Sequence, residues 1–379
     1  MTTQHPHSHP GAKPSPHPHG SGKPDGSNLR LVAWETTRSC NLACVHCRAA
    51  ARLEPYEGEL DTQAAYTLLD QIREIGTPII ILTGGEPLLR HDIFDISDYG
   101  TKKGLRMVMA PNGTLITKEY AHKMAESGIK RISISIDGAT RERHDRFRGV
   151  PGAFDGAMQG IAHAKEAQIE FQINTTITKA NLAEIPQIMK LAEELGAVAH
   201  HIFLLVPTGR GKYIIDQAIS AKEYETTLNW FYDQRKKTTL QLKATCAPHY
   251  YRIMRQRAKE EGETITFESH GLDAVTRGCL GGTSFCFVSH VGDVQPCGFL
   301  HTHCGNVKER SFAEIWKSSK TFVELRDYKQ YEGKCGRCEY VRVCGGCRAR
   351  AFEATGNYLA EEPLCSYEPR GIKSEKGSE

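Results

Sequence analysis

The chain of 379 residues lacks features that mark membrane, secreted and nucleic-acid-binding proteins. No run approaches 18 consecutive apolar residues, so no segment is expected to cross a membrane. The N-terminus lacks the apolar core of a secretory signal. The net charge is only +3 at pH 7, which provides no dense basic surface for nucleic acid or a membrane. These absences predict a cytoplasmic protein with neither kind of partner.

Apolar residues are scarce at the ends of the chain. Residues 1–29 consist largely of Pro, Gly, Ser and His, and we expect this segment and residues 371–379 to be disordered. With 39% hydrophobic residues, the chain can bury a large core. We expect a barrel-like domain over 30–240 and a smaller domain over 241–370.

Short β-rich runs alternate with stretches of helical spacing from residue 30 to 206. The predicted strands are 30–37, 77–83, 105–112, 129–137, 169–177 and 197–206. The predicted helices are 62–75, 92–103, 117–127, 152–167 and 182–195. This alternation predicts βα units around a parallel sheet, in an α/β fold that forms an open or partial barrel. The chemistry of such folds lies at the carboxyl ends of the strands.

The 13 cysteines are an odd number and occur at short spacings, which in a reducing compartment indicates metal ligation rather than disulfides. Cys40, Cys44 and Cys47 follow the first predicted strand as C-x3-C-x2-C. Three thiolates can hold three irons of a cubane [4Fe-4S] cluster and leave the fourth iron open to an external ligand. The alternative is a zinc site completed by His46, although a ligand inside so short a loop would be crowded.

The stretch CNLACVHC (40–47), followed by GGEP (84–87) after the second strand, resembles the radical S-adenosylmethionine (SAM) superfamily. The resemblance implies a partial (β/α)6 TIM-like barrel, in which SAM chelates the open iron and is cleaved to a 5′-deoxyadenosyl radical. It implies SAM contacts at Gly84, Gly85, Glu86, Pro87, Asn112, Ser135 and Asp137. Glycines let the backbone approach a ligand closely. Ser135 and Asp137 share one strand face, opposite the isoleucines. For Asn112, a turn-capping amide is an equally open alternative.

The C-terminal third contains C-x12-G-x4-C, then C-x2-C-x5-C-x2-C and a final cysteine. This order resembles the Cys-rich SPASM extension of the same superfamily and implies one or two auxiliary [4Fe-4S] clusters. The first implied ligand set is Cys335, Cys338, Cys344 and Cys365. The second is Cys279, Cys286, Cys297 and Cys347, with Cys246 and Cys304 left over. The spacing before Cys347 is one residue shorter than the family pattern. A zinc ribbon is the alternative, because paired C-x2-C is also a zinc signature.

Stretches outside the clusters, among them RHDRFRGVPGAFDGA (143–157) and ATCAPHYYR (244–252), resemble the heme synthases of this superfamily. The resemblance implies Fe-coproporphyrin III as substrate, with two propionates oxidatively decarboxylated to vinyl groups in the siroheme-dependent pathway to heme b. It also implies an electron donor such as ferredoxin or flavodoxin, and an electron acceptor that it does not identify. Arginine suits a propionate because its fork pairs bidentately with a carboxylate. The expected substrate contacts are Arg146, Arg148, Arg210, Cys246 and His249.

Two other hypotheses remain open. Enzymes on the same scaffold convert didecarboxysiroheme to Fe-coproporphyrin III, take part in heme d1 synthesis, or modify peptides. A peptide modifier often carries a leader-recognition domain, for which we expect the tail to be too short and too polar. A non-enzymatic electron carrier or zinc-stabilised interaction protein would need fully ligated metal, which a loop of three thiols disfavours.

Overall fold

One sheet organises the computed structural model, which describes residues 28–370. The predicted tails lie outside the described residues except for residues 28 and 29, of which Leu29 packs in the core. The strands are β1 (Leu31–Thr37), β2 (Ile79–Gly84), β3 (Arg106–Met109), β4 (Arg131–Ser135), β5 (Glu170–Ile177), β6 (Ala199–Leu204), β7 (Gln241–Thr245), β8 (Phe285–Val288), β9 (Asp293–Gln295) and β10 (Gly305–Asn306).

Helices follow most of the strands. They are α1 (Thr62–Ile75), α2 (Ile93–Lys102), α3 (Lys118–Glu126), α4 (Arg141–Arg148), α5 (Ala153–Glu166), α6 (Ile185–Leu195), α7 (Ala221–Gln234), α8 (His249–Glu260), α9 (Phe267–His270), α10 (Phe312–Ser318), α11 (Lys320–Arg326), α12 (Gly333–Arg337) and α13 (Arg348–Thr355). The five predicted helices correspond to α1, α2, α3, α5 and α6, with bounds that agree within three residues. No helix among the described residues is long and apolar enough to cross a membrane.

The strand order is β10-β9-β8-β1-β2-β3-β4-β5-β6-β7. Strands β1 to β7 are parallel to their neighbours, as the predicted βα units require. The six predicted strands are confirmed as β1 to β6, and β7 extends the series. The predicted domain boundary at 240/241 falls inside this sheet, since β7 pairs with β6 and β8 pairs in parallel with β1. The C-terminal segment thus lies beside the strand that carries the first cysteine loop.

Strand alternation places the core of the barrel. Ile132, Ile134 and Ile136 are fully buried, whereas Ser133 and Ser135 are half-buried on the other face of the strand. This is the predicted division between an apolar face under the helices and a polar face toward the barrel interior.

Helix α4 was not predicted because it has almost no apolar face. Its sequence, RERHDRFR, buries only His144, Phe147 and Arg148. Thr140 caps its start by accepting from the Arg143 amide, and Gly149 ends it in the left-handed region at φ 71°. Caps and tertiary contacts, rather than hydrophobic periodicity, determine this helix.

Candidate functional site

Three thiols lie in one small apolar cluster after the carboxyl end of β1. Cys40 and Cys44 are buried in it and Cys47 packs against it. Burial raises the pKa of Cys40 to about 12, so metal binding must displace protons here. Each sulfur accepts one N–H hydrogen bond. The donors are Leu42 N to Cys40 Sγ at 3.4 Å, Arg148 Nη1 to Cys44 Sγ at 3.6 Å and Ala51 N to Cys47 Sγ at 3.4 Å. Such bonds stabilise thiolates and tune the potential of a cluster, so the loop fits an iron–sulfur cluster.

Arg210 holds the cysteine loop in place. Its Nε donates to the Cys44 carbonyl at 2.8 Å and its Nη1 to the Ala51 carbonyl at 2.7 Å. Its backbone N–H donates to the Cys47 carbonyl at 2.9 Å. Arg210 is a predicted propionate contact, and two of its three guanidinium nitrogens are engaged with the loop.

Arg148 lies beneath the same loop and is buried. Its Nη2 donates to Asp137 Oδ2 while Nη1 contacts Cys44. The other Asp137 oxygen accepts from the Thr176 amide at 2.7 Å. Burial raises the pKa of Asp137 although Arg148 opposes that shift. Arg148 was a predicted propionate contact and Asp137 a predicted SAM contact, yet each already has an internal partner. Ser135 stays half-buried on the polar face of β4.

The two glycines of GGEP lie directly against the cysteine loop. A Cβ added at Gly84 would lie 2.2 Å from the Thr37 carbonyl oxygen, and one at Gly85 would lie 2.3 Å from the Ser39 oxygen. The Gly85 amide donates to the Thr37 carbonyl and the Glu86 amide to the Ser39 carbonyl, both at 2.8 Å. The close approach predicted for a ligand is therefore made to the protein's own backbone.

Glu86 is fully buried at the centre of this turn. Its carboxylate caps the 3-10 turn Pro87–Leu89 and accepts from the Asn112 amide at 2.6 Å. Burial raises the pKa of Glu86 to about 7, although these two hydrogen bonds lower it. The Asn112 side chain donates to Asn41 at 2.8 Å and accepts from the Thr114 amide at 2.9 Å. Its amide thus caps a turn, as the alternative interpretation expects.

The zinc alternatives concern a single metal ion held by closely converging side chains. Across residues 28–370, no three Cys, His, Asp or Glu side chains converge closely enough to hold a single metal ion. Zinc needs four donors within about 2.3 Å of one centre, whereas a cubane cluster spreads its ligands over separate irons. His46 packs its ring against Phe147, with a centroid separation of 4.4 Å.

The four cysteines of the first implied auxiliary set lie near one another. Cys335, Cys338, Cys344 and Cys365 line one cavity in the C-terminal region. Their sulfurs also accept N–H bonds. The donors are Arg348 Nη2 to Cys335 at 3.3 Å, Glu362 N to Cys335 at 3.4 Å and Tyr340 N to Cys338 at 3.4 Å.

His249 lines the same cavity. It is buried, and neither ring nitrogen has a hydrogen-bond partner within the described part of the chain. Burial lowers the pKa of His249 to about 3, so the imidazole is neutral. Its ring packs edge-on against Tyr224, with centroids 4.6 Å apart. The predicted substrate contact therefore lies against the auxiliary cysteines.

One member of the second implied auxiliary set, Cys286, lies apart from two of the others. Cys297 and Cys347 belong to one apolar cluster, whereas Cys286 lies in the main core with Cys304. The reason is strand parity: Cys286 and Phe287 point to opposite faces of β8, and the face with Phe287 is the one that packs near Gly298. Cys246, a predicted substrate contact, lies in the cluster with Cys297 and Cys347.

Two buried carboxylates in ion pairs were not predicted from the sequence. Glu35, fully buried in β1, pairs with Arg48 at 2.5 Å and with His290 at 2.8 Å. Burial opposes ionisation of Glu35, but Arg48, His290 and Arg38 together lower its pKa to about 2. The only available signal was a charged residue inside an apolar strand. The second, Glu362, pairs with Arg350 in the C-terminal region.

Arg146 lies exposed on α4. No ion pair is seen for it among residues 28–370. Of the three arginines predicted to bind propionates, Arg146 is the one whose guanidinium has neither an ion pair nor a hydrogen bond within the described residues, since Arg148 pairs with Asp137 and Arg210 donates to loop carbonyls.

Two family models match the chain. The radical SAM superfamily model matches residues 34–192, and the SPASM iron-sulfur cluster-binding domain model matches residues 279–339. An AdoMet-dependent heme synthase of Nitratidesulfovibrio vulgaris is 59% identical over 95% of this chain and 98% of its own length. An Fe-coproporphyrin III synthase of Methanosarcina barkeri is 34% identical over 88% of this chain and 87% of its own length. Streptococcus suis SuiB bound to S-adenosylmethionine has a similar fold, with a TM-score of 0.72 at 16% identity, over 90% of this chain and 78% of that chain.

Proposed function

This chain belongs to the radical SAM superfamily with a SPASM extension, and on that premise we propose that it is a heme synthase that converts Fe-coproporphyrin III to heme b. As a member it is a radical SAM enzyme, with a [4Fe-4S] cluster, SAM and auxiliary iron–sulfur clusters as cofactors. The observation that carries the substrate proposal is the 59% identity, over nearly the whole of both chains, to the AdoMet-dependent heme synthase.

The proposed reaction acts on two propionate side chains. When bound, the cluster and SAM supply a 5′-deoxyadenosyl radical, which removes one hydrogen atom from the propionate β-carbon. The bond to the carboxyl group then breaks, CO2 leaves, a vinyl group forms and one electron is released. Each propionate thus needs one SAM and one electron acceptor. We propose ferredoxin or flavodoxin as donor, and a cytoplasmic location; the acceptor is not assigned.

The residues of this chain would hold and orient the cofactors. Cys40, Cys44 and Cys47 would ligate the SAM cluster, and Arg210 and Arg148 would keep their loop in position. For SAM contacts we propose Ser135 and backbone groups of the GGEP turn, since the side chains of Glu86, Asn112 and Asp137 are engaged within the protein. Arg146 is the remaining arginine proposed for a propionate.

The test is anaerobic incubation with SAM, a strong reductant and Fe-coproporphyrin III, followed by mass spectrometry. The expected result is a product that has lost two carboxyl groups as CO2 and gained two vinyl groups, together with 5′-deoxyadenosine. A Cys44→Ala variant is the matched control and should form neither. SAM cleavage without any change in the porphyrin would contradict the proposed substrate but not the enzyme class.

A second candidate substrate follows from the relative named Fe-coproporphyrin III synthase, at 34% identity. If didecarboxysiroheme rather than Fe-coproporphyrin III is consumed in the same assay, the chain catalyses that earlier reaction. The lower identity makes this the weaker hypothesis.

A further inference from the structure

The C-terminal region contains two groups of cysteines. The first group is Cys335, Cys338, Cys344 and Cys365. The second group is Cys246, Cys279, Cys297 and Cys347, of which Cys246 lies outside the SPASM pattern. Cys279 is tied to the first group because its amide donates to the Cys344 carbonyl at 3.1 Å. The preceding Gly278 is pressed against Pro248, since a Cβ added at Gly278 would lie 2.5 Å from the Pro248 Cα. Pro248 is two residues after Cys246, so this packing brings the Cys246 segment beside Cys279.

The remaining two thiols of the group come from other segments. Cys297 follows β9, and a Cβ added at Gly281, two residues after Cys279, would lie 3.7 Å from the Cys297 Cβ. Cys347 is buried and forms the N-cap of α13. Both lie with Cys246 in one apolar cluster. The four thiols are thus brought together from four separate segments of the chain.

A buried ion pair fixes the backbone of Cys246 relative to that of Cys347. Glu362 accepts from the Cys347 amide at 2.7 Å and from Arg350 Nε at 2.9 Å. Arg350 Nη2 donates to the Cys246 carbonyl at 2.6 Å, and Tyr224 donates to the same oxygen at 3.3 Å. Arg350 and Glu362 are both buried. Such a pair costs desolvation energy, so its presence calls for a reason beyond stability.

Cys246 itself has a strained backbone, with φ at 54°. A residue with a side chain adopts the left-handed region only at an energetic cost, because its Cβ crowds the backbone. Conformations of this kind persist where the surrounding structure imposes them, and they concentrate at functional sites. The left-handed backbone of Cys246 and the hydrogen bonds from Arg350 and Tyr224 to its carbonyl together fix the direction of its side chain.

We propose that Cys246 is a ligand of the second auxiliary iron–sulfur cluster, together with Cys279, Cys297 and Cys347, and that Cys286 is not. Four thiolates would ligate all four irons of a cubane, leaving no iron of this cluster open to substrate. Arg350 and Glu362 are positioning residues, since they act on the cluster through the backbones of Cys246 and Cys347. The inference rests on the cofactor assignment and not on the identity of the porphyrin.

The test compares Cys246→Ala with Cys286→Ala as matched control, both purified and reconstituted anaerobically. The readouts are iron and sulfide content and the electron paramagnetic resonance (EPR) spectrum of the reduced protein. Cys246→Ala is expected to lose about four irons per chain, or to keep them with an altered signal from one auxiliary cluster. Cys286→Ala is expected to match the wild type in both readouts.

Cys246→Ser provides a check that does not depend on losing the cluster. A serine oxygen preserves volume and can ligate iron, so iron content should be retained while the EPR signal of one auxiliary cluster changes. Wild-type iron and an unchanged spectrum in both Cys246 variants would overturn the proposal, as would loss of iron in Cys286→Ala. Product formation from Fe-coproporphyrin III is not part of the readout, so failure of the proposed function leaves the test valid.

Discussion

Gly85→Ala tests whether the GGEP turn acts by positioning the cysteine loop. A Cβ at this position would lie 2.3 Å from the Ser39 oxygen and 2.4 Å from the Arg38 oxygen, whereas ordinary contact begins at 3.4 Å. The two oxygens belong to the backbone immediately before Cys40, so they can move only with the loop, by roughly 1 Å. We expect the substitution to destabilise the protein by about 1–3 kcal/mol. A displacement of that size at a reacting centre lowers the rate by about a hundredfold.

The assay is 5′-deoxyadenosine formation from SAM under anaerobic conditions, with iron content measured on the same sample. Gly76→Ala is the matched control, because a Cβ there meets nothing within 4 Å and its φ of 162° is extended backbone. We expect the control to match the wild type. Full iron content and wild-type cleavage in Gly85→Ala would refute the view that this turn positions the cysteine loop.

Three further predictions concern buried charges, each measured by anaerobic thermal unfolding. The raised pKa of Glu86 means that its contribution to stability falls as pH rises from about 4.5 to about 7. Between these pH values, and without added SAM, the free energy of unfolding of Glu86→Gln should fall by about 3 kcal/mol less than that of the wild type. Parallel pH profiles of the two proteins would contradict this. Arg148→Met should lower the free energy of unfolding by about 3–5 kcal/mol, because it leaves the buried Asp137 unpaired. Adding Asp137→Asn should recover part of this stability, and no recovery would refute the pairing. Glu362→Gln should cost a similar amount through the unpaired Arg350, and an unchanged melting temperature would contradict the role of that pair.

Much of the fold could be predicted because the signals are local. The alternation of Ile132, Ile134 and Ile136 with serines predicts one strand and both of its faces. Helix α4 could not be predicted in this way, since RERHDRFR has no apolar period and its position depends on contacts with the cysteine loop. Strand β8 could not be placed either, because its partner β1 lies about 250 residues earlier in the chain.

For the polar residues, too, the sequence shows the residue type and only the tertiary structure shows the contacts. The sequence identifies arginines near strand ends as suited to carboxylates, but it does not show what each contacts. The tertiary structure pairs Arg148 with Asp137 and Cys44, and Arg210 with the loop carbonyls, because the loop needs hydrogen-bond donors for its buried backbone and sulfurs. Arg146 differs from them in that it stays exposed.

The sequence by itself determined the local chemistry: three thiols within eight residues, a glycine turn one βα unit later and a SPASM-like spacing. Spacing is enough here because residues so close along the chain stay close in any fold. The tertiary structure alone decided which distant thiols meet. Cys286 is excluded by the parity of β8, and Cys246 is brought in by the packing of Gly278 on Pro248 and by the Arg350–Glu362 pair. Contacts between segments so far apart depend on the packing of the whole chain, which no short pattern encodes.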